Sequence, residues 1–285
     1  PGRRNGKLES ARFRWWRRKG LALWIGLPEA ILSAQALPAA TVACHCRFLI
    51  RSFRSIGAAY QREICIVCGR FIQASSSQIL AERLGLMLPL DYAPRYNVAP
   101  NQSILAIRAP AGARELAWLR WGLIPSWSPE PRLKYSTINA RAETVADKPT
   151  YRQAFRQRRC LIPADGFYEW RQIDSGKQPY CIGLVDQQPF ALAGLWERWE
   201  REGQAVESCT ILVTQANASI APIHDRMPVI LDPAAYDVWL DSTVRDPVRL
   251  LPLLRPYPAD RTMLWPVGLA VNRPGHAGPE LMAPV

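Results

Sequence analysis

The sequence predicts an α+β domain over residues 68–285, with a mainly antiparallel β-sheet core and peripheral helices. Three observations carry this expectation. Short strand-like runs bounded by turn residues crowd together between residues 160 and 214. No alternating strand–helix series runs along the chain, as a parallel sheet would need. Eleven Trp and 25 Pro in 285 residues, with 48% hydrophobic content and few Gly-rich runs, describe a compact, loop-rich body with a real core.

Each element has a local reason. Ser75 to Leu86 reads as a helix: serines stand where an N-cap is needed, Ile79, Leu80 and Leu84 share a face, and Gly85 lies near the end. Ile104–Arg108 and Glu115–Gly122 read as strands separated by a Pro-Ala-Gly turn. The run Trp121-Gly-Leu-Ile-Pro-Ser-Trp127 reads as an aromatic loop. Pro149–Arg158 reads as a helix with Pro149 in its first turn. Strands are expected at Cys160–Ile162, Gly166–Trp170, Tyr180–Val185, Phe190–Trp199 and Cys209–Thr214. Helices are expected at Asp232–Leu240 and Asp246–Leu254, and short strands near Thr262 and Leu269.

The first 67 residues look foreign to this body. They hold 12 Lys and Arg against three acids, a balance of +9, leaving 24 against 21, or +3, for the rest. The total of +12 therefore overstates the charge of the body, and any nucleic-acid contact there must come from local Arg placement. Residues 11–40 imitate a secretory signal, but the apolar run Leu21–Leu27 is too short to span a bilayer. The chain opens on Pro1 and its first Met is Met87, while Val67 can be encoded by the alternative start GUG. Residues 1–67 are thus expected to be an upstream extension, from an overlong start assignment or removed by cleavage, without folded structure.

Seven Cys residues show no finger-like spacing, and Cys44-His45-Cys46 has no second ligand pair. Cys160, Cys181 and Cys209 read as core residues on strands. Reduced thiols in a cytoplasmic protein, with no metal and no organic cofactor, are the expectation. No Gly-rich phosphate loop and no His-Glu-x-x-His motif is present.

Five blocks stand out: Cys68-Gly-Arg-Phe71, Arg95-Tyr-Asn-Val-Ala-Pro100, Ile138-Asn-Ala-Arg-Ala-Glu143, Ala164-Asp-Gly-Phe-Tyr-Glu-Trp170 and Ile223-His-Asp-Arg-Met-Pro228. Alone, each has an ordinary explanation. A Cys is usually a packed small hydrophobe, Asn139 a turn cap, Glu169 a solvent-facing strand residue, and His224-Asp225 a surface pair.

In this order and at these separations, the blocks closely resemble the SRAP family, the SOS-response-associated peptidases or abasic-site-processing proteins. The resemblance spans about residues 68–285. It includes Trp118-x-x-Trp-Gly-Leu-Ile-Pro-Ser-Trp127 and the closing Gly278-Pro-Glu-Leu281. It implies a partner, single-stranded DNA bearing abasic sites, and a covalent mechanism. The family motif begins Met-Cys-Gly-Arg. Loss of Met leaves a Cys with a free amine and a thiol on adjacent carbons. The amine condenses with the ring-opened aldehyde of the abasic sugar to an imine, and the thiol closes a thiazolidine ring. This chain departs from the pattern, because Val67 and the residues before it deprive Cys68 of a free amine. The peptidase label fits a self-cleavage that would expose it.

By matching position, the resemblance implies catalytic roles for Cys68, Asn139, Glu169 and His224. Glu169 would move protons at the Cys amine, His224 would assist sugar opening and reversal, and Asn139 would orient the new ring. Arg70, Arg141 and Arg226 would contact phosphates, with a structural pairing of Arg226 to Asp225 as the alternative. Trp121 and Trp127 would support the DNA or stack on bases. Peptidase and lyase activities, a monomeric state, no membrane association and a nucleoid location when DNA-bound complete the expectation. Two other readings stay open: a cysteine hydrolase with Cys68 as nucleophile and His224 as base, and a non-catalytic DNA-binding module.

Overall fold

The computed structural model describes residues 68–86, 92–110 and 112–285. The expectations for residues 1–67, including Cys44-His45-Cys46, lie outside the described residues. Among the described residues, one antiparallel sheet holds β1 (Arg70–Gln73), β2 (Arg95–Val98), β7 (Gly166–Ile173), β8 (Gly176–Leu184) and β12 (Thr262–Pro266) in the order β12-β8-β7-β1-β2. A second sheet is built on β3 (Ser103–Arg108), β4 (Glu115–Trp121), β6 (Arg159–Ala164), β9 (Phe190–Arg201) and β10 (Gln204–Gln215). Its order β10-β4-β3-β6-β9 closes on itself because β9 also pairs with β10. Two short strands, β5 (Asn139–Arg141) and β11 (Arg226–Pro228), pair with the far end of β10. The predicted class, α+β with a mainly antiparallel core, is the observed one; only β10 with β4 and with β5 runs parallel.

Side-chain alternation builds the core. Along β3, Ile104 and Ala106 point into a cluster shared with the first sheet, while Leu105 and Ile107 point to a second cluster beneath the helices. The first cluster joins Cys68, Phe71 and Phe167 of one sheet to Trp121, Cys209 and Met227 of the other. The second is covered by α1 (Ser77–Leu84), α2 (Arg152–Gln157), α3 (Tyr236–Leu240) and α4 (Pro247–Leu250), through Leu84, Phe155, Trp239 and Leu250. Helix α1 starts and stops where its caps dictate. Ser76 accepts from the Ile79 amide, and Gly85 takes a left-handed φ of 64°.

Within the second sheet, side chains of β6 lie closely enough over β9 that one glycine is fixed by volume. A Cβ on Gly194 of β9 would lie 2.7 Å from Cys160 Sγ and 2.8 Å from Ile162 Cδ1, both buried. Gly194→Ala is expected to destabilise the domain by about 1–3 kcal/mol through overpacking. A lower urea midpoint at constant slope is the expected readout, and an unmoved midpoint would contradict this packing.

Three local expectations differ from the structure. Pro149 precedes the second helix instead of opening it, since α2 begins at Arg152 after a turn. The expected helix over Asp232–Leu240 is a 3-10 turn, Pro233–Ala235, capped by Asp232 and leading into α3. Leu269 opens a 3-10 turn, Leu269–Asn272, not a strand. Its carbonyls find side-chain donors in place of a strand neighbour. Arg70 Nη1 donates to Val271 O at 2.9 Å, and Asn97 Nδ2 lies 3.2 Å from Val271 O and 3.1 Å from Arg273 O.

Candidate active site at Cys68

Cys68 occupies the turn that enters β1, with a φ of 46° that few non-glycine residues adopt. The register of β1 on β7 sets Arg70 opposite Tyr168, which brings Cys68 beside Glu169. The Cys68 backbone nitrogen donates to Glu169 Oε1 at 2.6 Å. Both side chains are buried, Glu169 at 1% exposure. Burial penalises the carboxylate and raises the Glu169 pKa to about 8, with nearby Asp225 adding to the rise and the Cys68 and Trp170 amides opposing it. The Cys68 thiol is pushed well above its ordinary value, first by burial and then by Glu169.

The second sheet supplies the other candidate residues through β10. Its end is flanked by β5, with Ile211 opposite Asn139 and Val213 opposite Arg141, and by β11, with Gln215 opposite Arg226. Ile138 and Met227, next to Asn139 and Arg226, pack in the same cluster as Cys68. All five sequence blocks therefore contribute a residue to the cluster between the sheets: Cys68, Val98, Ile138, Phe167 and Met227.

His224 sits in the turn before β11, its side chain 8% exposed. Its Nδ1 lies 3.0 Å from both the Arg226 amide nitrogen and Asp225 Oδ1. The Arg226 amide donates to Nδ1, whereas the Asp225 carboxylate beside the same atom favours a proton on it. Burial lowers the His224 pKa, against the pull of Asp225. Tyr151 fixes the β5 backbone by donating from its hydroxyl to Asn139 O at 3.3 Å.

The arginines divide. Arg141 is exposed at the end of β5. Arg226 pairs with Glu143, not with Asp225. Arg70 Nη1 is engaged by Asn97 Oδ1 at 3.0 Å as well as by Val271 O, so it also braces β1 against β2 and the 3-10 turn. The aromatics divide too. Trp127 is 52% exposed on its loop, whereas Trp121 is fully buried, edge-on to Phe71 at 5.2 Å. The base-stacking role considered for Trp121 fails for that reason. Strand alternation on β4 turns Ala117, Leu119 and Trp121 inward, and Trp121 Nε1 donates to Ile138 O at 2.8 Å, bracing the strand that carries Asn139.

Sequence reasoning left Glu143, Tyr151 and Asn97 without roles, although Glu143 and Asn97 lie inside the quoted blocks. Membership of those blocks could have marked Glu143 and Asn97, whereas Tyr151 carries no local signal. Cys160, Cys181 and Cys209 are buried. Among the described residues, no three His, Cys, Asp or Glu side chains gather as a metal site, and no helix is long and apolar enough to cross a membrane.

The SRAP family model, described as SOS response associated peptidase, matches residues 67–274. Abasic site processing protein YoqW of Bacillus subtilis (strain 168) is 43% identical over 221 residues, covering 76% of this chain and 99% of that protein. Abasic site processing protein YedK of Escherichia coli (strain K12) is 31% identical over 226 residues, covering 77% of this chain and 100% of that protein. A crystal structure of a protein from Bacteroides thetaiotaomicron superposes with a TM-score of 0.70 at 24% identity, over 76% of this chain and 100% of its own, a likeness of fold.

Proposed function

This chain belongs to the SRAP family, and on that premise we propose that its domain traps abasic sites in single-stranded DNA by a covalent bond through Cys68. The observation that carries the reading is the 2.6 Å contact between the Cys68 backbone nitrogen and the buried Glu169 carboxyl. In the 285-residue chain that nitrogen is an amide shared with Val67. Once residues 1–67 are absent, by initiation at Val67 with loss of the initiator or by self-cleavage, it becomes a primary amine.

Burial raises the Glu169 pKa, which makes it a proton acceptor and donor rather than a permanent carboxylate. It is the group in contact with the attacking nitrogen, and it takes that nitrogen's proton so that the amine is neutral for attack. The amine adds to the aldehyde carbon of the opened sugar, and Glu169 returns the proton as water leaves to give the imine. The thiol sulfur adds to the imine carbon, its proton passes to nitrogen, and the thiazolidine closes. Ring closure removes the imine before it can eliminate the 3′ phosphate and cut the strand, which is where a lyase activity would arise.

His224, whose pKa burial lowers, assists sugar opening and ring reversal by exchanging a proton. Asn139 orients the ring. Arg141 contacts the backbone without reading sequence, as a lesion lacking its base requires, with Arg70 and Arg226 lending charge from their braced positions. Trp127 supports the flanking nucleotides. The scheme needs one copy of the chain, no cofactor and a cytoplasmic setting. A cysteine hydrolase would need a thiolate favoured by a neighbouring cation, but burial first and Glu169 second raise the Cys68 thiol pKa. A non-catalytic module gives no reason for a buried carboxyl on the Cys68 nitrogen.

The test is a denaturing gel of single-stranded DNA with one abasic site, mixed with protein beginning at Cys68 or with the 285-residue chain. A shifted band from the first alone is expected. No band from the protein beginning at Cys68, with its N-terminus verified by mass, would overturn the assignment.

A further inference from the structure

Next to the candidate site is a cleft of about 370 Å³ between the turn that follows β2, the end of β4 and the chain that leads into β5. Arg120, Arg132 and Lys134 line it, and none of its lining residues is acidic. Residues 68–285 carry a formal balance of only +3, so three cations with no acid is a local concentration of charge. Among the described residues, no ion pair involves any of the three.

Arg120 is held as a fixed donor. Its Nη2 donates to Asn101 Oδ1 at 2.7 Å and its Nη1 to Gly122 O at 3.1 Å. Both acceptors are neutral, so the guanidinium is immobilised while its charge stays uncompensated. The backbone is shaped to allow this. Asn101 takes a φ of 68° and Gly122 a φ of 128°, the latter a conformation that favours glycine. Arg132 and Lys134 are exposed on the opposite wall. Ile138 lines the cleft and is followed directly by Asn139, so cleft and candidate site are one residue apart along the chain, about 3.8 Å between Cα atoms.

We propose that this cleft is a second phosphate subsite, holding a phosphodiester of the same DNA strand at a nucleotide flanking the trapped lesion. The inference rests on the DNA reading above and deepens it. The captured sugar fixes one point of the strand, and a pre-positioned cationic cleft beside it fixes a second. Two fixed points set the direction of the strand through the site, which contacts at the lesion alone do not.

The test uses protein beginning at Cys68, the length to which the relatives from B. subtilis and E. coli correspond. Binding is measured by fluorescence anisotropy on long and short single strands carrying a tetrahydrofuran in place of the abasic sugar, which cannot react. The double variant Arg132→Gln/Lys134→Gln changes two exposed side chains. On the long strand it is expected to bind about ten-fold more weakly near 0.1 M salt, with a salt slope smaller by about 1.4 for two phosphate contacts. Of two strands that end at the lesion, one keeping only the 5′ flank and the other only the 3′ flank, the variant is expected to match the parent on the one that lacks the flank held in the cleft. It should also form the covalent adduct on a short abasic strand at the parental rate. Unchanged affinity and slope on the long strand, with normal adduct formation, would overturn the subsite alone. A parent protein that neither binds nor forms an adduct would overturn the DNA reading and the subsite with it.

Discussion

Glu169→Gln is expected to slow adduct formation by about 10²–10⁴-fold, the usual contribution of a positioned acid–base group. Gln keeps the shape and can still accept from the Cys68 nitrogen, but it cannot take or return a proton. The loss should therefore appear in the rate of trapping, with little change in affinity for an unreactive strand. The same substitution has a pH signature in stability. The folded-state pKa of Glu169 is raised, to about 8 from 4.5. Between those values the folded state holds a proton that the unfolded state has lost, so this residue's contribution weakens as pH rises from 4.5 to 8. Glu169→Gln should remove that slope, and its stability should fall less than the parent's between pH 5 and 8. Parallel stability curves for the two proteins would contradict a protonated, buried Glu169.

Cys68→Ser separates the two halves of the proposed chemistry. With the N-terminus exposed, the substituted residue still offers an amine, so the imine forms. Its hydroxyl is a weaker nucleophile than the thiol, and the imine persists long enough to hydrolyse or eliminate. The expected outcome is loss of the stable adduct together with a gain of strand scission at the abasic site. Borohydride should capture the imine as a permanent bond in the variant. If Cys68→Ser gives neither scission nor a borohydride-trapped product, the amine of residue 68 is not the attacking group.

Long apolar strands were legible in the sequence, and short polar ones were not. The strands from β6 to β10 announce themselves because their inward residues are apolar over six or more positions. β1, β2, β5 and β11 are three or four residues long, and carry the Arg, Asn and Met of the motif blocks. Their strand character comes from partners that the local sequence does not announce, such as Tyr168 opposite Arg70 or Ile211 opposite Asn139. Tertiary pairing, not local pattern, makes them strands. The site follows the same division. Residue types and order pointed to Cys68, Glu169, Asn139 and His224. What the sequence could not give was the direction of each side chain. Trp121 and Trp127 look alike in the motif, yet one braces Ile138 from the core and the other is half-exposed. Arg226 was weighed against Asp225 because they are adjacent, while the fold hands it to Glu143, 83 positions away. The cationic cleft was invisible for a related reason. Arg120 gains its meaning only when Asn101 and Gly122 hold it by neutral acceptors.

The most direct test of the central claim is the mass of the shifted band from protein beginning at Cys68, after digestion with nuclease and trypsin. Trypsin should release Cys68-Gly69-Arg70. The expected product is this tripeptide carrying the sugar phosphate residue less one water, and it should resist alkylation by iodoacetamide, because sulfur and nitrogen are both in the ring. A tripeptide that gains the sugar but still takes up the alkyl group would leave the linkage as an open imine. An unmodified tripeptide, with the sugar found on a lysine elsewhere, would contradict capture through Cys68.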